Sequence, residues 1–185
     1  DASGNFAYFS CVTMTANDIG KLDIDVKLRQ KTLVWSIDIS LKYRWLRDLL
    51  EHPNGHQNSQ DFFSRWVYSL QNKGNCYVFV ERNERDAPVG LYILTPDLVR
   101  PLVTENGDIF YKCESDKIIG LKKSHIFSQR EIIHQRINAM FHDLEGIPPL
   151  HAAAIHVYNS IEQNKTAYEF YKNAARPSGL LIAPN

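Results

Sequence analysis

Apolar residues recur along this chain with two periods, and the local period predicts the local element. Phe9, Val12, Ala16 and Ile19 step by three and four, one face of a helix over residues 6–20, and Gly20 suits its C-terminal stop. Residues 22–28, L-D-I-D-V-K-L, instead alternate apolar and charged side chains, which predicts a strand with one wet face. Residues 33–39, anchored by Trp35, predict a second strand. Leu41, Trp45 and Leu49 place a helix over 41–50, and His52-Pro53-Asn54-Gly55 ends it because proline disfavours helical geometry at the residue before it. Asn58 or Ser59 caps the next helix, with Asp61 in its first turn. Phe62, Phe63, Trp66, Val67 and Leu70 form its stripe before Gly74.

Four short β-rich runs follow, at 76–81, 89–95, 99–104 and 109–113, divided by turn-prone segments such as 83–88 and Glu105-Asn106-Gly107-Asp108. They predict one antiparallel sheet, with Glu131-Ile132-Ile133-His134 as a fifth strand. The fold class is α+β: a mostly antiparallel sheet with helices, followed by one long helix over 147–175. Pro148 or Pro149 fits that helix's first turn, where a missing backbone donor costs nothing.

Along the long helix, Ile147, Leu150, Ala154, Val157, Ile161, Asn164, Tyr168, Tyr171 and Ala175 alternate steps of three and four. This is a heptad seam broken once by a polar residue, on a rod of about 40 Å at ~1.5 Å per residue. A second line, Ala153, His156, Ser160, Gln163, Ala167, Phe170 and Ala174, is small and mildly polar, so the helix offers two packing faces. Such a helix either lies along its own sheet or is sandwiched between neighbours in an oligomer. Glu162, Lys165, Glu169 and Lys172 have opposite partners at three or four residues and read as a solvated or inter-subunit stripe.

Composition narrows the class. The 185 residues predict one core, or one core with a projecting element, and 44% hydrophobic with 23% charged residues is globular. The 21 basic and 21 acidic side chains balance to zero, which removes the excess expected of a protein that grips nucleic acid through many phosphates, and permits self-association. No apolar run approaches the ~20 residues of a membrane helix. Cys11, Cys76 and Cys113 are widely spaced and odd in number. They read as reduced thiols of a cytosolic chain, by default buried and inert. The start, Asp1-Ala2-Ser3-Gly4-Asn5, has no initiator Met and no signal segment, as expected of an interior piece of a longer gene product.

Catalytic patterns are weak. GxSxG, GxxxxGK[ST] and HExxH are absent. His52 and His56 are separated by Pro53 and Gly55, unsuited to a helical metal pair, and His151 and His156, five apart, fall on different helix faces. His142, Asp143 and Glu145 with His134 are the one mixed cluster able in principle to bind a divalent metal; a loop with a satisfied buried histidine explains them more simply. Tyr168, Phe170 and Tyr171 lack the interleaved basic residues of a base-stacking surface, so packing is their expected role.

Several blocks then fall into a familiar order. Residues 9–28, FSCVTMTANDIGKLDIDVKL, carry an A-x-x-I-x-x-L cadence, and Leu49-Leu50-Glu51-His52-Pro53-Asn54 matches LL-x-x-PN. Gly74-Asn75-Cys76-Tyr77-Val78 stands for GNAYV, Leu94-Thr95-Pro96-Asp97-Leu98-Val99 for L-x-P-x-x-V, and Glu131-Ile132-Ile133-His134 for E-I-I-H. Leu144-Glu145-Gly146-Ile147-Pro148-Pro149-Leu150 and residues 170–181, FYKNAARPSGLL, are similar to GL-x-G-x-SPL and FF-x-NGA-x-PSG-x-L, with Pro148 where Ser is usual and Ala174 where Gly is usual. Together these blocks resemble the portal proteins of long-tailed bacteriophages, of the lambdoid Hong Kong type.

The resemblance implies a structural conduit and no catalysis or cofactor. It implies a homo-oligomeric ring, typically of twelve subunits, at one vertex of the virion capsid and assembled in the bacterial host cytoplasm. Double-stranded DNA passes through such a ring without tight binding, during packaging and at ejection. Partners implied are the terminase large subunit, a head–tail adaptor and the major capsid protein, with no membrane. Residues 1–146 would be the N-terminal part of the wing domain, 147–175 the stem helix, packing through Leu150, Ala154, Val157, Ile161, Asn164, Tyr168 and Tyr171, and 176–185 the truncated approach to the clip through Arg176, Pro177, Ser178 and Gly179. The second stem helix, tunnel loop and crown would lie outside the sequence, and Leu180-Leu181-Ile182 would be a strand edge without partners. Two other readings remain at this point, a non-oligomeric α+β adaptor and a metal-dependent hydrolase using His134, His142, Asp143 and Glu145.

Overall fold

The computed structural model describes residues 5–24, 26–29, 35–37, 43–117 and 119–173. Helix α1, Phe6–Gly20, starts at Asn5, whose side chain accepts the Tyr8 N–H at 3.0 Å. Its inner face, Val12, Ala16 and Gly20, is buried, and α1 packs on α3, Ser59–Lys73. Gly20 is required there: a Cβ would meet Ser64 Oγ and lie 2.8 Å from the Gln60 carbonyl oxygen. Between them in sequence, α2, Arg44–Glu51, buries Leu49 and carries an Arg47–Glu51 pair at 2.9 Å. α3 is capped by Asn58, whose side chain accepts the Asp61 N–H at 2.8 Å, and ends at Gly74 with φ of 72° in the left-handed region.

The strand expected over 22–28 is shorter, β1 covering Lys27–Arg29, antiparallel to β2, Trp35–Ile37. Leu22 donates its N–H to the Ile19 carbonyl at 3.1 Å and Lys21 to Asn17 at 3.1 Å. The end of α1 thus captures the segment that would have opened the strand, and Leu22 and Ile24 are exposed. Residues 33–34 and 38–39 of the second expected strand, and Leu41, lie outside the described residues.

The remaining strands form two antiparallel sheets, where one was expected. In the first, β3, Asn75–Arg82, lies between β4, Pro88–Leu94, and β8, Ile132–Arg136. In the second, β6, Ile109–Cys113, lies between β5, Val99–Val103, and β7, His125–Ser128. The division falls at Pro96–Leu98, a 3₁₀ turn in which Leu98 donates to the Thr95 carbonyl at 2.9 Å and turns the chain out of the first sheet.

Alternation along β3 sends Cys76, Val78 and Val80 into a cluster with Leu49, Phe62, Leu70, Leu91 and Ile93 on the helix side. Tyr77 and Phe79 join Leu94, Val99, Tyr111, Cys113, Phe127 and Ile132 towards the second sheet. The body therefore has three layers, helices, sheet and sheet, with β3 covered on both faces. That double burial accounts for the unbroken apolar run C-Y-V-F-V. Phe62 is fully buried at the centre of the helix side, edge-on to Phe63 and Trp66 at 5.3 and 5.7 Å between ring centroids. Helix α4, Leu150–Lys172, follows β8 after a connector over 137–149.

Candidate assembly site

The connector is fastened to the body around Asn75. Asn75 follows the left-handed Gly74 directly, so its side chain points across the start of β3 to the returning chain. Its Oδ1 accepts the Gly146 N–H at 2.9 Å and pairs with His134 Nε2 at 3.2 Å. Its Nδ2 donates to the carbonyls of Lys73 at 3.2 Å and Gly146 at 3.3 Å, so the hydrogen-bonding capacity of the amide is used in full. Backbone bonds close the joint: Ile137 N–H to the Gly74 carbonyl at 2.9 Å and Ile147 N–H to the Ile137 carbonyl at 3.0 Å, with Asn138 Nδ2 on the Ile147 carbonyl at 3.1 Å. Gly74 and Gly146 pass so close that a Cβ on Gly146 would lie 2.7 Å from the Ile137 carbonyl oxygen.

His134 completes the joint from β8. Its ring stacks on Tyr77 at 4.3 Å, and Tyr111 reaches its Nδ1 through the phenol at 3.3 Å. Tyr111 donating to Nδ1 and Nε2–H donating to Asn75 assigns the neutral tautomer. Burial, helped by the nearby Arg136 charge, holds the imidazolium form down, with a pKa lowered to about 4. Burial pushes Tyr77 up to about 12, with Tyr111 and Glu145 adding to it, and also raises Tyr111.

Both ring nitrogens of His134 are thus engaged, while His142, Asp143 and Glu145 sit exposed in the connector, where His142 Nδ1 accepts the Leu144 N–H at 3.0 Å. Among the described residues no group of three or more His, Cys, Asp or Glu side chains comes together to hold a metal. The four residues named for the hydrolase reading, His134, His142, Asp143 and Glu145, are therefore not gathered into one metal-binding group. Cys76 and Cys113 are fully buried, and burial raises the Cys76 thiol to about 12; Cys11 corrects the uniform expectation by lying exposed on the outer face of α1.

Beyond the joint, the connector lifts Met140 and Phe141 into solvent, 74% and 88% exposed, while Leu144 is buried. Ile147 precedes α4, which begins at Leu150 with Pro149 at its cap. The seam divides along the helix. Leu150, Ala154 and Ile161 are partly covered and Val157 is buried, whereas Asn164 is exposed and Tyr168 and Tyr171 are 66% and 75% exposed. On the second line, Ala153, His156, Gln163, Ala167 and Phe170 are exposed and Ser160 is partly covered. Ile155 and Tyr158 lie bare in line with the Glu162, Lys165, Glu169, Lys172 stripe. Ala174, Ala175, the residues Arg176, Pro177, Ser178 and Gly179, and the strand expected at 180–182 lie outside the described residues.

The described helix thus has a heptad seam, apolar apart from Asn164, with no cover over its second half, and it follows a hydrogen-bonded joint to the body. Comparison with known proteins places this architecture. Residues 6–185 match the family described as "Phage portal protein". The chain belongs to that family. Two uncharacterized proteins are similar to it: one from Rickettsia bellii (strain RML369-C), 25% identical over 181 residues, and one from Rickettsia felis (strain ATCC VR-1525 / URRWXCal2), 27% identical over 183. Each alignment covers 96% of this chain and 44% of the relative, so the chain spans less than half the length of these relatives.

Solved structures with the same fold include a chain from the neck of an empty gene transfer agent particle computed with C6 symmetry. It has a TM-score of 0.74 and 23% identity, over 97% of this chain and 46% of that one. A chain from the virion of the native particle gives the same figures. One from the native neck computed with C12 symmetry has a TM-score of 0.74 and 20% identity, over 98% of this chain and 49% of that one.

Sequence reasoning missed Asn75, Tyr111, Met140 and Phe141 as parts of this region. For Asn75 a signal existed: a glycine helix stop, then Asn, then a strand. The adjacent Met140-Phe141 pair in a polar segment was a second.

Proposed function

We propose that this chain is the wing and stem part of a portal protein, a ring-shaped head–tail connector at the capsid vertex. Residues 1–146 form the N-terminal part of the wing, 147–175 the stem helix, and 176–185 lead into the clip. In this reading copies of the protein assemble into a ring, probed first as a twelve-subunit ring, through which double-stranded DNA passes without tight binding. The ring assembles in the host cytoplasm and resides in the virion. It docks the terminase large subunit, a head–tail adaptor and the major capsid protein, and its role is structural, without catalysis.

One observation carries the reading: in a member of the portal family, the heptad seam of α4 continues past the polar Asn164 through Tyr168 and Tyr171 and leaves that half bare. A seam of this kind gains from burial against a neighbour. The balanced charge supports passage of DNA, because release of counterions from many phosphates would otherwise hold the duplex in place. The fold shared with chains of gene transfer agent necks and virions, one neck computed with C12 symmetry, also supports it. Electron microscopy of the purified gene product tests it: closed rings with α4 packed against α4 of the next subunit are expected. Particles that never close, or rings in which α4 faces solvent on every side, would overturn it.

A further inference from the structure

Beside β4 lies a cleft of about 360 Å³, bordered by Asn54, His56, Gln57, Arg65, Tyr92, Ile93 and Lys117. Three separate segments bring cationic or donor groups to it: the turn after α2 supplies His56 and Gln57, α3 supplies Arg65, and the β6–β7 connection supplies Lys117. No carboxylate borders the cleft, and neither Arg65 nor Lys117 has an ion-pair partner among the described residues. Arg65 is partly buried over the apolar Ile93, where its charge is less screened than on an open surface.

The complementary surface is on the same chain. The β5–β6 hairpin tip carries Glu105 and Asp108, both exposed and without an ion-pair partner among the described residues, next to the exposed Leu102 and Val103. The tip is held in shape by Thr104, which exchanges backbone bonds with Asp108 and Gly107 at 2.9 Å. Tip and cleft cannot meet within one molecule by way of this hairpin. β6 runs from the tip at 108 towards Lys117, and its five residues alone span about 17 Å at ~3.4 Å each, so the two surfaces sit at opposite ends of one strand.

We propose that the cleft is a carboxylate-binding site and that its occupant is the Glu105/Asp108 hairpin tip of a second copy of this chain. The two surfaces differ and lie at opposite ends of the hairpin, so the contact is head-to-tail. Repeated, it generates a ring or a filament and not a two-fold dimer. The inference rests on the ring reading and deepens it by naming a wing-to-wing contact separate from α4.

Two variants isolate one such contact. The chain carrying Glu105→Lys and Asp108→Lys keeps its cleft and loses its tip; the chain carrying Arg65→Glu and Lys117→Glu keeps its tip and loses its cleft. With the first labelled with ¹⁵N and the second added unlabelled at millimolar concentration, the expected result is a one-to-one complex that shifts the Ile93 and Lys117 amides and dissociates in 1 M NaCl. If Arg65→Glu unfolds the chain, as circular dichroism would show, Arg65→Gln with Lys117→Gln takes its place. Unmoved cleft amides, with both variants folded, overturn the proposal. The ring reading is judged separately by whether the gene product closes into rings, which α4 contacts alone could support.

Discussion

Strand β3 and helix α4 carry equally regular apolar patterns and end in opposite environments. Every apolar residue of β3 from Cys76 to Val80 is buried or nearly so, against side chains of α2, α3 and β4 on one face and a second sheet on the other. The seam of α4 is covered from Leu150 to Ile161 and then runs bare through Tyr168 and Tyr171. The difference teaches that pattern regularity reports what an element is built to cover and leaves open whether the cover lies in the same chain. The body covers its own pattern, whereas the second half of the α4 seam is left exposed.

The strongest way to break this comparison is to damage the body. Phe62→Ala removes the fully buried ring at the centre of the helix side and is expected to cost about 3–5 kcal/mol in urea unfolding. A loss below about 1 kcal/mol would mean that the helix-side cluster does not hold the body together. Next comes the joint between the two regions. Asn75→Ala leaves the Gly146 N–H and His134 Nε2–H without their acceptor, and is expected to cost about 1–3 kcal/mol. It should also speed amide exchange at Ile137, Gly146 and Ile147 before the rest of the body. Uniform acceleration would mean that Asn75 serves the body and not the joint.

Acid sharpens the comparison further. The His134 pKa is lowered in the folded chain to about 4 from 6.5, so above pH 6.5 the group is neutral in both states and contributes nothing to the pH dependence. As pH falls from 6.5 towards 4 the unfolded chain takes up a proton that the folded chain refuses, and stability drops across that window and levels below it. Urea midpoints for the wild type and His134→Gln should therefore converge as pH falls. Parallel curves would show that another group dominates. The smallest expected effect on stability is Tyr168→Asp, on the bare half of α4: within about 0.5 kcal/mol, with the helix retained by circular dichroism. Ile161→Asp, at the partly covered boundary, should cost somewhat more while leaving the sheets folded.

Much of the fold was legible in the residues. The helix of 6–20 with its Gly20 stop, the helix of 59–73 with its Asn58 cap and Gly74 stop, and the runs at β3 to β6 emerged near their observed bounds. Local pattern failed where the deciding contacts were distant. One sheet became two because a three-residue turn at Pro96–Leu98 redirects the chain, which no period reveals. β7 escaped because its four residues include only Ile126 and Phe127 as apolar members, after a polar stretch. The strand over 22–28 was overextended because the end of α1 claims residues 21 and 22. At the candidate site, the α4 seam was readable and the joint was not: Asn75 meets Gly146 across 71 positions and His134 across 59. The exposure that separates the two halves of α4 is likewise a property of the whole fold.

The central claim, that the bare half of α4 is an assembly surface, is tested most directly by light scattering coupled to size exclusion. The samples are the complete gene product that carries this sequence, as wild type and as Tyr168→Asp, at micromolar concentration. The account predicts a large closed oligomer for the wild type and a folded monomer for the variant with an unchanged melting curve. A variant that assembles as the wild type does, or a wild type that stays monomeric at every concentration, would contradict it.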